Sequence, residues 1–179
     1  MTELSDLTPI VLVGLMGSGK STVGRLVAKQ LGRPFVDLDD LVAERAGRSV
    51  AEVFATDGEA GFRRLESSAL ARALTRTDGP VVATGGGVVT VDANRDLLVN
   101  QTHVVWLRAL PATLAARTAS DVAVRPLLAD AERAEATLSA LHQERAPHYA
   151  QVATSVIDTD GLDGSAVAAA IVDQLVVRS

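Results

Sequence analysis

The residues best equipped for chemistry lie near the start of the chain. "GLMGSGKS", Gly14 to Ser21, has the spacing G-x-x-x-x-G-K-[ST]. It follows the apolar run "PIVLVG" and opens the amphipathic stretch "STVGRLVAKQL", the strand-to-helix context the pattern requires. Backbone N–H groups of Gly17, Ser18, Gly19 and Lys20, at the start of a helix, can surround a phosphate chain. Lys20 would neutralise its outer oxygens, the Ser21 hydroxyl would bind Mg²⁺, and Thr22 continues the same stretch. The chain therefore binds a nucleoside triphosphate. Of its 17 basic residues only Lys20 and Lys29 are lysine and the other 15 are arginine, which makes a lysine at this position notable.

What happens to the outer phosphate depends on carboxylates and arginines elsewhere. "DLDD", 37 to 40, follows a buried run and sets Asp37 and Asp39 two residues apart, so on an extended backbone they point the same way. One can sit near the metal while the other accepts a proton from an attacking hydroxyl, or the aspartates merely cap a helix starting near Leu41, a role expected first of Asp40. In "GEAGFRRLE", Arg63 and Glu66 are i, i+3 neighbours, either a solvated salt bridge or a clamp for an acceptor's carboxylate. Arg145, in "ERAPHY", is a second clamp candidate or a helix C-terminal partner, with Pro147 read as the helix end. Arg125 in "AVRPLL" is a candidate to close on the transferring phosphoryl group and Arg117 to stack on a base, the alternative for both being solvated loop arginines. "VVATGGGVV" brings Gly85, Gly86 and Gly87 to the end of a buried strand, where bare backbone lets a compact acceptor approach or simply makes a flexible turn. His103, His142 and His148 lack metal-ligand spacing, and no Ser-His-Asp order suggests acyl transfer.

The elements that must position these groups alternate. "PIVLVG", "PFVDL", "PVVAT", "HVVWL" and "TSVID" read as short, doubly buried strands separated by amphipathic stretches, which implies an α/β fold with a parallel sheet covered on both faces. Gly32 marks the end of the first helix. Residues 39 to 77 exceed a simple crossover and read as an inserted subdomain of two or three helices punctuated by Gly47 and Gly58. A further helix is expected near 92 to 99, and residues 117 to 128 read as a mobile lid. Trp106 is assigned to the core.

Composition bounds the rest. A chain of 179 residues with 47% hydrophobic content suits one domain, 1 to 179. A net charge of -5 without basic runs argues against nucleic acid, and no apolar run approaches the ~18 residues of a membrane span. The absence of cysteine excludes disulfides and thiolate metal sites, and the acidic N-terminus "MTELSDLTP" leaves a cytoplasmic protein as the expectation.

Six stretches, "GLMGSGKST", "DLDDLVAERAG", "VFATDGEAGFRRLE", "TGGG", "RPLL" and "ERAPHY", occur in the order and approximate spacing of shikimate kinase, which the chain resembles over residues 12 to 149. The resemblance implies a three-layer P-loop kinase fold, a five-stranded parallel sheet in the order 2-3-1-4-5 and a closing lid; a monomer is the expectation for the chain. It implies transfer of the γ-phosphate of ATP to the 3-hydroxyl of shikimate, on the route to chorismate and aromatic amino acids, with Mg²⁺ as cofactor. Residue by residue it makes Lys20, Asp39 and Arg125 catalytic, with Asp37 near the metal through water. Arg63, Arg145 and the glycine wall would meet shikimate, and Arg117 and Arg125 would meet ATP. The chain departs from the family pattern in its lid, "RTASDVAVRPLL", in His148, and in "DTDGLDG", which replaces an arginine expected against the adenine. The rival readings are a kinase for another small hydroxy acid such as gluconate, and a nucleotide-binding regulatory module without catalysis.

Overall fold

The computed structural model describes residues 7–119 and 131–177. Within them the five expected strands form β1 (Ile10–Val13), β2 (Phe35–Asp37), β3 (Val81–Ala83), β4 (His103–Arg108) and β5 (Ser155–Asp158). They make one sheet in the order β2-β3-β1-β4-β5 with every neighbouring pair parallel. β1 and β3 are buried on both faces as expected, but the edge strand β5 is not: it alternates, with Ser155 and Ile157 buried and Val156 and Asp158 exposed. Alternation along β1 divides the core. Ile10 and Leu12 face α1 (Lys20–Leu31) and α7 (Gly164–Val177), packing with Val23, Val27, Val167 and Ile171. Val11 and Val13 face the opposite layer, α2 (Leu38–Ala46), α3 (Val50–Leu74), α4 (Asp92–Gln101), α5 (Pro111–Thr118) and α6 (Ala131–Val152). Trp106 lies in that second cluster, as expected.

The glycine stops act as the sequence implies. Gly32 and Gly47 both take the left-handed conformation that ends a helix, with φ of 64° each. Gly58, at φ 67° and ψ -176°, breaks α3 into two helical segments. A capping box between Ser49 and Glu52 starts α3.

Two boundaries differ from expectation. β2 ends at Asp37 and α2 begins at Leu38, because the Asp37 carboxylate accepts the Asp39 N–H and itself caps the helix. Asp37, not Asp40, is therefore the cap, and Asp39 stands on the first helical turn instead of an extended backbone. Pro147 does not end a helix: it lies inside α6, which runs on to Val152. Tyr149 and Val152, beyond the proline, are buried in the core, and their burial offsets the backbone hydrogen bond that a proline forfeits.

Candidate functional site

The phosphate loop is set by its glycines. Gly14, Gly17 and Gly19 all have positive φ, and Gly19 caps α1 without any side-chain hydrogen bond to the helix. No acidic residue stands in the first turn of α1, so its N–H groups and positive dipole end remain available to an anion. A side chain at Gly17 would meet the Leu114 carbonyl and the Thr118 methyl, each 2.9 Å from its Cβ; α5 therefore forms the wall of the loop. Lys20 is buried, and its ammonium donates to the Gly14 and Leu15 carbonyls at 2.8 Å each and to Ser18 Oγ at 3.3 Å. The charge thus lies folded across the mouth of the loop. Ser18 is itself buried, whereas Thr22 is exposed on the first turn of α1.

Ser21 Oγ donates to Asp37 Oδ2 at 2.6 Å, which brings together the two residues assigned to the metal. A hydroxyl and a carboxylate are hard oxygen donors suited to Mg²⁺. Among the described residues no cluster of three or more His, Cys, Asp or Glu could hold a metal. Mg²⁺ is commonly held in that sparse way, by one or two protein oxygens with water and phosphate completing its shell, so the donor set fits the ion.

Across the ends of β1 and β3 lies a second pocket wall. The Gly85–Gly87 turn runs directly against α3: a Cβ at Gly85 would come within 2.4 Å of Glu66 Oε1 and 3.6 Å of Asp39 Oδ1, and one at Gly87 within 2.1 Å of Arg63 Nη2. A side chain at Gly85 would displace the Glu66 carboxylate, and one at Gly87 the Arg63 guanidinium. Arg63 donates to Glu66 at 2.7 Å and to Glu59 at 3.3 Å. The solvated-bridge reading of Arg63 and Glu66 is corrected, because the Glu66 side chain has 0% exposure. Burial raises the Glu66 carboxyl above its usual range; Arg63 and Arg145 oppose the shift and Asp39 adds to it, so all four groups share one electrostatic neighbourhood. Arg145 lies mid-helix in α6, not at a helix C-terminus, with its side chain 13% exposed. Arg63 Nε, Glu66 Oε1 and Arg145 Nε are buried without a hydrogen-bond partner among the described residues. Two guanidiniums and a carboxylate with spare donors and an acceptor can hold a compact molecule bearing a carboxylate and hydroxyls.

On the other side of the phosphate loop, Arg117 donates to Thr159 Oγ1 at 2.9 Å and to the Thr159 carbonyl at 2.6 Å, which fixes the guanidinium beside the turn after β5. Asp160 from that turn accepts from the Leu110 N–H and Thr113 Oγ1, capping α5 from outside the helix. Arg125 and the lid from residue 120 to 128 lie outside the described residues, while Arg117 and Thr118 belong to α5. Sequence reasoning missed Tyr149, whose hydroxyl donates to the Gly86 carbonyl; its place four residues after Arg145, on the same helical face, was the available signal. The cap supplied by Asp160 comes from 50 residues away and leaves no local signal.

A family model described as shikimate kinase matches residues 16–176. A shikimate kinase of Symbiobacterium thermophilum is 49% identical over 170 residues, covering 94% of this chain and 97% of the relative. The solved shikimate kinase from Acinetobacter baumannii, in complex with shikimate, superposes with a TM-score of 0.89 at 36% identity, over 97% of this chain and 95% of that one. A gluconokinase from Sinorhizobium meliloti superposes at 0.56 with 22% identity, over 97% and 98% of the two chains, a likeness of fold alone.

Proposed function

Because the chain belongs to the shikimate kinase family, we propose that Arg63, Arg145 and the Gly85–Gly87 turn hold shikimate while the Gly17–Thr22 loop holds ATP. The reaction is transfer of the γ-phosphoryl group of ATP to the 3-hydroxyl of shikimate, on the route to chorismate and the aromatic amino acids. The observation that carries the acceptor assignment is the set of buried atoms without a hydrogen-bond partner, Arg63 Nε, Arg145 Nε and Glu66 Oε1, on side chains that share one electrostatic neighbourhood. A bound carboxylate supplies acceptors for the guanidiniums, and a ring hydroxyl supplies a donor for Glu66.

Asp39, on the first turn of α2 and facing the Gly85 backbone, orients the reacting hydroxyl and takes its proton. Lys20 exchanges its loop carbonyls for phosphate oxygens, and Arg125, in the lid, adds charge at the phosphoryl group. Ser21 and, through water, Asp37 would hold Mg²⁺, which when bound neutralises phosphate oxygens. Arg117 flanks the base. The helices within residues 39 to 77 form the acceptor-holding part of a single domain, and the lid expected at 117–128 begins only after α5, which holds Arg117 and Thr118. Among the described residues no helix is long and apolar enough to cross a membrane.

The test is ADP release from purified protein with ATP and Mg²⁺ across shikimate, gluconate and nucleoside monophosphates. ADP is expected with shikimate alone. ADP with gluconate and none with shikimate would overturn the substrate, and none with any acceptor would revive the non-catalytic module.

A further inference from the structure

We propose that Tyr149 is a positioning residue for the acceptor pocket, its hydroxyl fixing both the triple-glycine wall and the neighbouring Arg145. The inference rests on the acceptor reading of that pocket. Tyr149 has 0% exposure, and its ring packs on Trp106 with centroids 5.4 Å apart, so the phenol enters the pocket from the core side and cannot swing to solvent. Its O–H donates to the Gly86 carbonyl at 2.5 Å, joining α6 to a turn 63 residues earlier in the chain.

A trans peptide is planar, with the carbonyl of one residue and the N–H of the next pointing in opposite directions. Holding the Gly86 carbonyl on Tyr149 therefore fixes where the Gly87 N–H points. Among the described residues the Gly86 and Gly87 N–H groups donate to no backbone carbonyl, and in the acceptor reading they meet the ligand. Glycines do not hold such an orientation by themselves, since they lack the steric limits that restrict other residues. The Val88 N–H donates to the Gly85 carbonyl at 3.2 Å and closes the turn from within, and Tyr149 adds an anchor from outside it.

The same hydroxyl faces Arg145, whose charge favours its ionised form, but burial dominates and keeps the phenol neutral. A neutral phenol donates to Gly86 with its proton and still offers lone pairs toward the guanidinium. Arg145 and Tyr149 are one helical turn apart on α6, so Tyr149 orients the clamp and the wall together.

Tyr149 is the chain's single tyrosine, and this permits a test without mutation. Protein labelled biosynthetically with 3-fluorotyrosine should give one ¹⁹F resonance that shifts on titration with shikimate and stays in place with a non-hydrolysable ATP analogue. Alongside it, Tyr149→Phe should raise the shikimate KM about tenfold, the loss of roughly one hydrogen bond with a charged or buried partner. Its ATP KM should stay within about twofold of wild type, while Arg63→Ala serves as reference for the acceptor site. A resonance that ignores shikimate, or a Tyr149→Phe variant with both KM values unchanged or raised equally while Arg63→Ala still loses shikimate, overturns the positioning role. An Arg63→Ala variant with normal shikimate KM overturns the acceptor reading itself, and the present inference with it. Should Tyr149→Phe fail to fold, the ¹⁹F titration decides alone.

Discussion

Glu66 is a carboxylate with no exposure, one oxygen on Arg63 and the other without a partner. Desolvation outweighs the pull of two arginines, so its native pKa lies above the unfolded reference of 4.5. A carboxyl whose pKa is raised on folding binds its proton more tightly in the native state; stability then falls as pH rises from about 4.5 through the native pKa and levels beyond it. The Tm of Glu66→Gln relative to wild type should accordingly rise between pH 4.5 and pH 7.5 by differential scanning fluorimetry, and a flat or falling difference would contradict the sign. Arg63→Ala leaves Glu66 buried and uncompensated, a loss of about 3–5 kcal/mol for a buried pair broken on one side. The double variant Arg63→Ala/Glu66→Gln should recover part of that stability but none of the affinity. Steady-state kinetics should show a shikimate KM raised roughly 10- to 100-fold in both variants, with the ATP KM unmoved, as expected for charge-assisted hydrogen bonds of about 1.5–3 kcal/mol. The arginine and the glycines were legible in the sequence because residue type and spacing limit what they can do. The burial of Glu66 was not, since an i, i+3 pair reads the same on a solvated face as in a closed pocket, and only the Gly85 backbone lying against it decides.

At the scale of elements, Arg63 lies on the segment of α3 that follows the kink. Gly58 holds φ 67° and ψ -176°, a region essentially reserved for glycine, and a Cβ there would meet nothing within 4 Å. Any cost of Gly58→Ala is therefore backbone strain, about 1–3 kcal/mol. Because Arg63 follows the kink by five residues, the same change should raise the shikimate KM and leave that for ATP alone. Gly32→Ala, at a left-handed helix end that also has nothing within 4 Å, is the control: it should lose stability of similar origin with both KM values intact. Helix stops at Gly32, Gly47 and Gly58 were readable because each depends on a single residue's conformational freedom. The start of α2 and the passage of α6 through Pro147 were not. The first turns on which aspartate captures an N–H, and the second on burial of Tyr149 and Val152 that no local pattern expresses.

At the scale of the molecule, the proposed sites for the two ligands belong to different layers joined by one sheet. Shikimate is assigned to the α3 and α6 side and ATP to the N-terminus of α1, yet β1 supplies alternate residues to both core clusters. Alternation of runs made the parallel sheet legible, whereas its strand order followed from motif resemblance, since short apolar runs carry no record of which neighbour they join. If the helices between residues 38 and 74 belong to the same cooperative unit as the phosphate loop, unfolding is one transition that either ligand raises. At a free concentration of 100 times its Kd, each ligand adds about 2.7 kcal/mol. For a chain of this size that corresponds to a rise in Tm of roughly 5–11 °C, at about 2–4 °C per kcal/mol. Calorimetry with shikimate alone and with a non-hydrolysable ATP analogue alone should therefore show the same single peak displaced in each case. An early transition that shikimate moves and the nucleotide does not would instead mean that α2 and α3 melt as a unit of their own, because linkage can stabilise only the structure that forms the bound ligand's site.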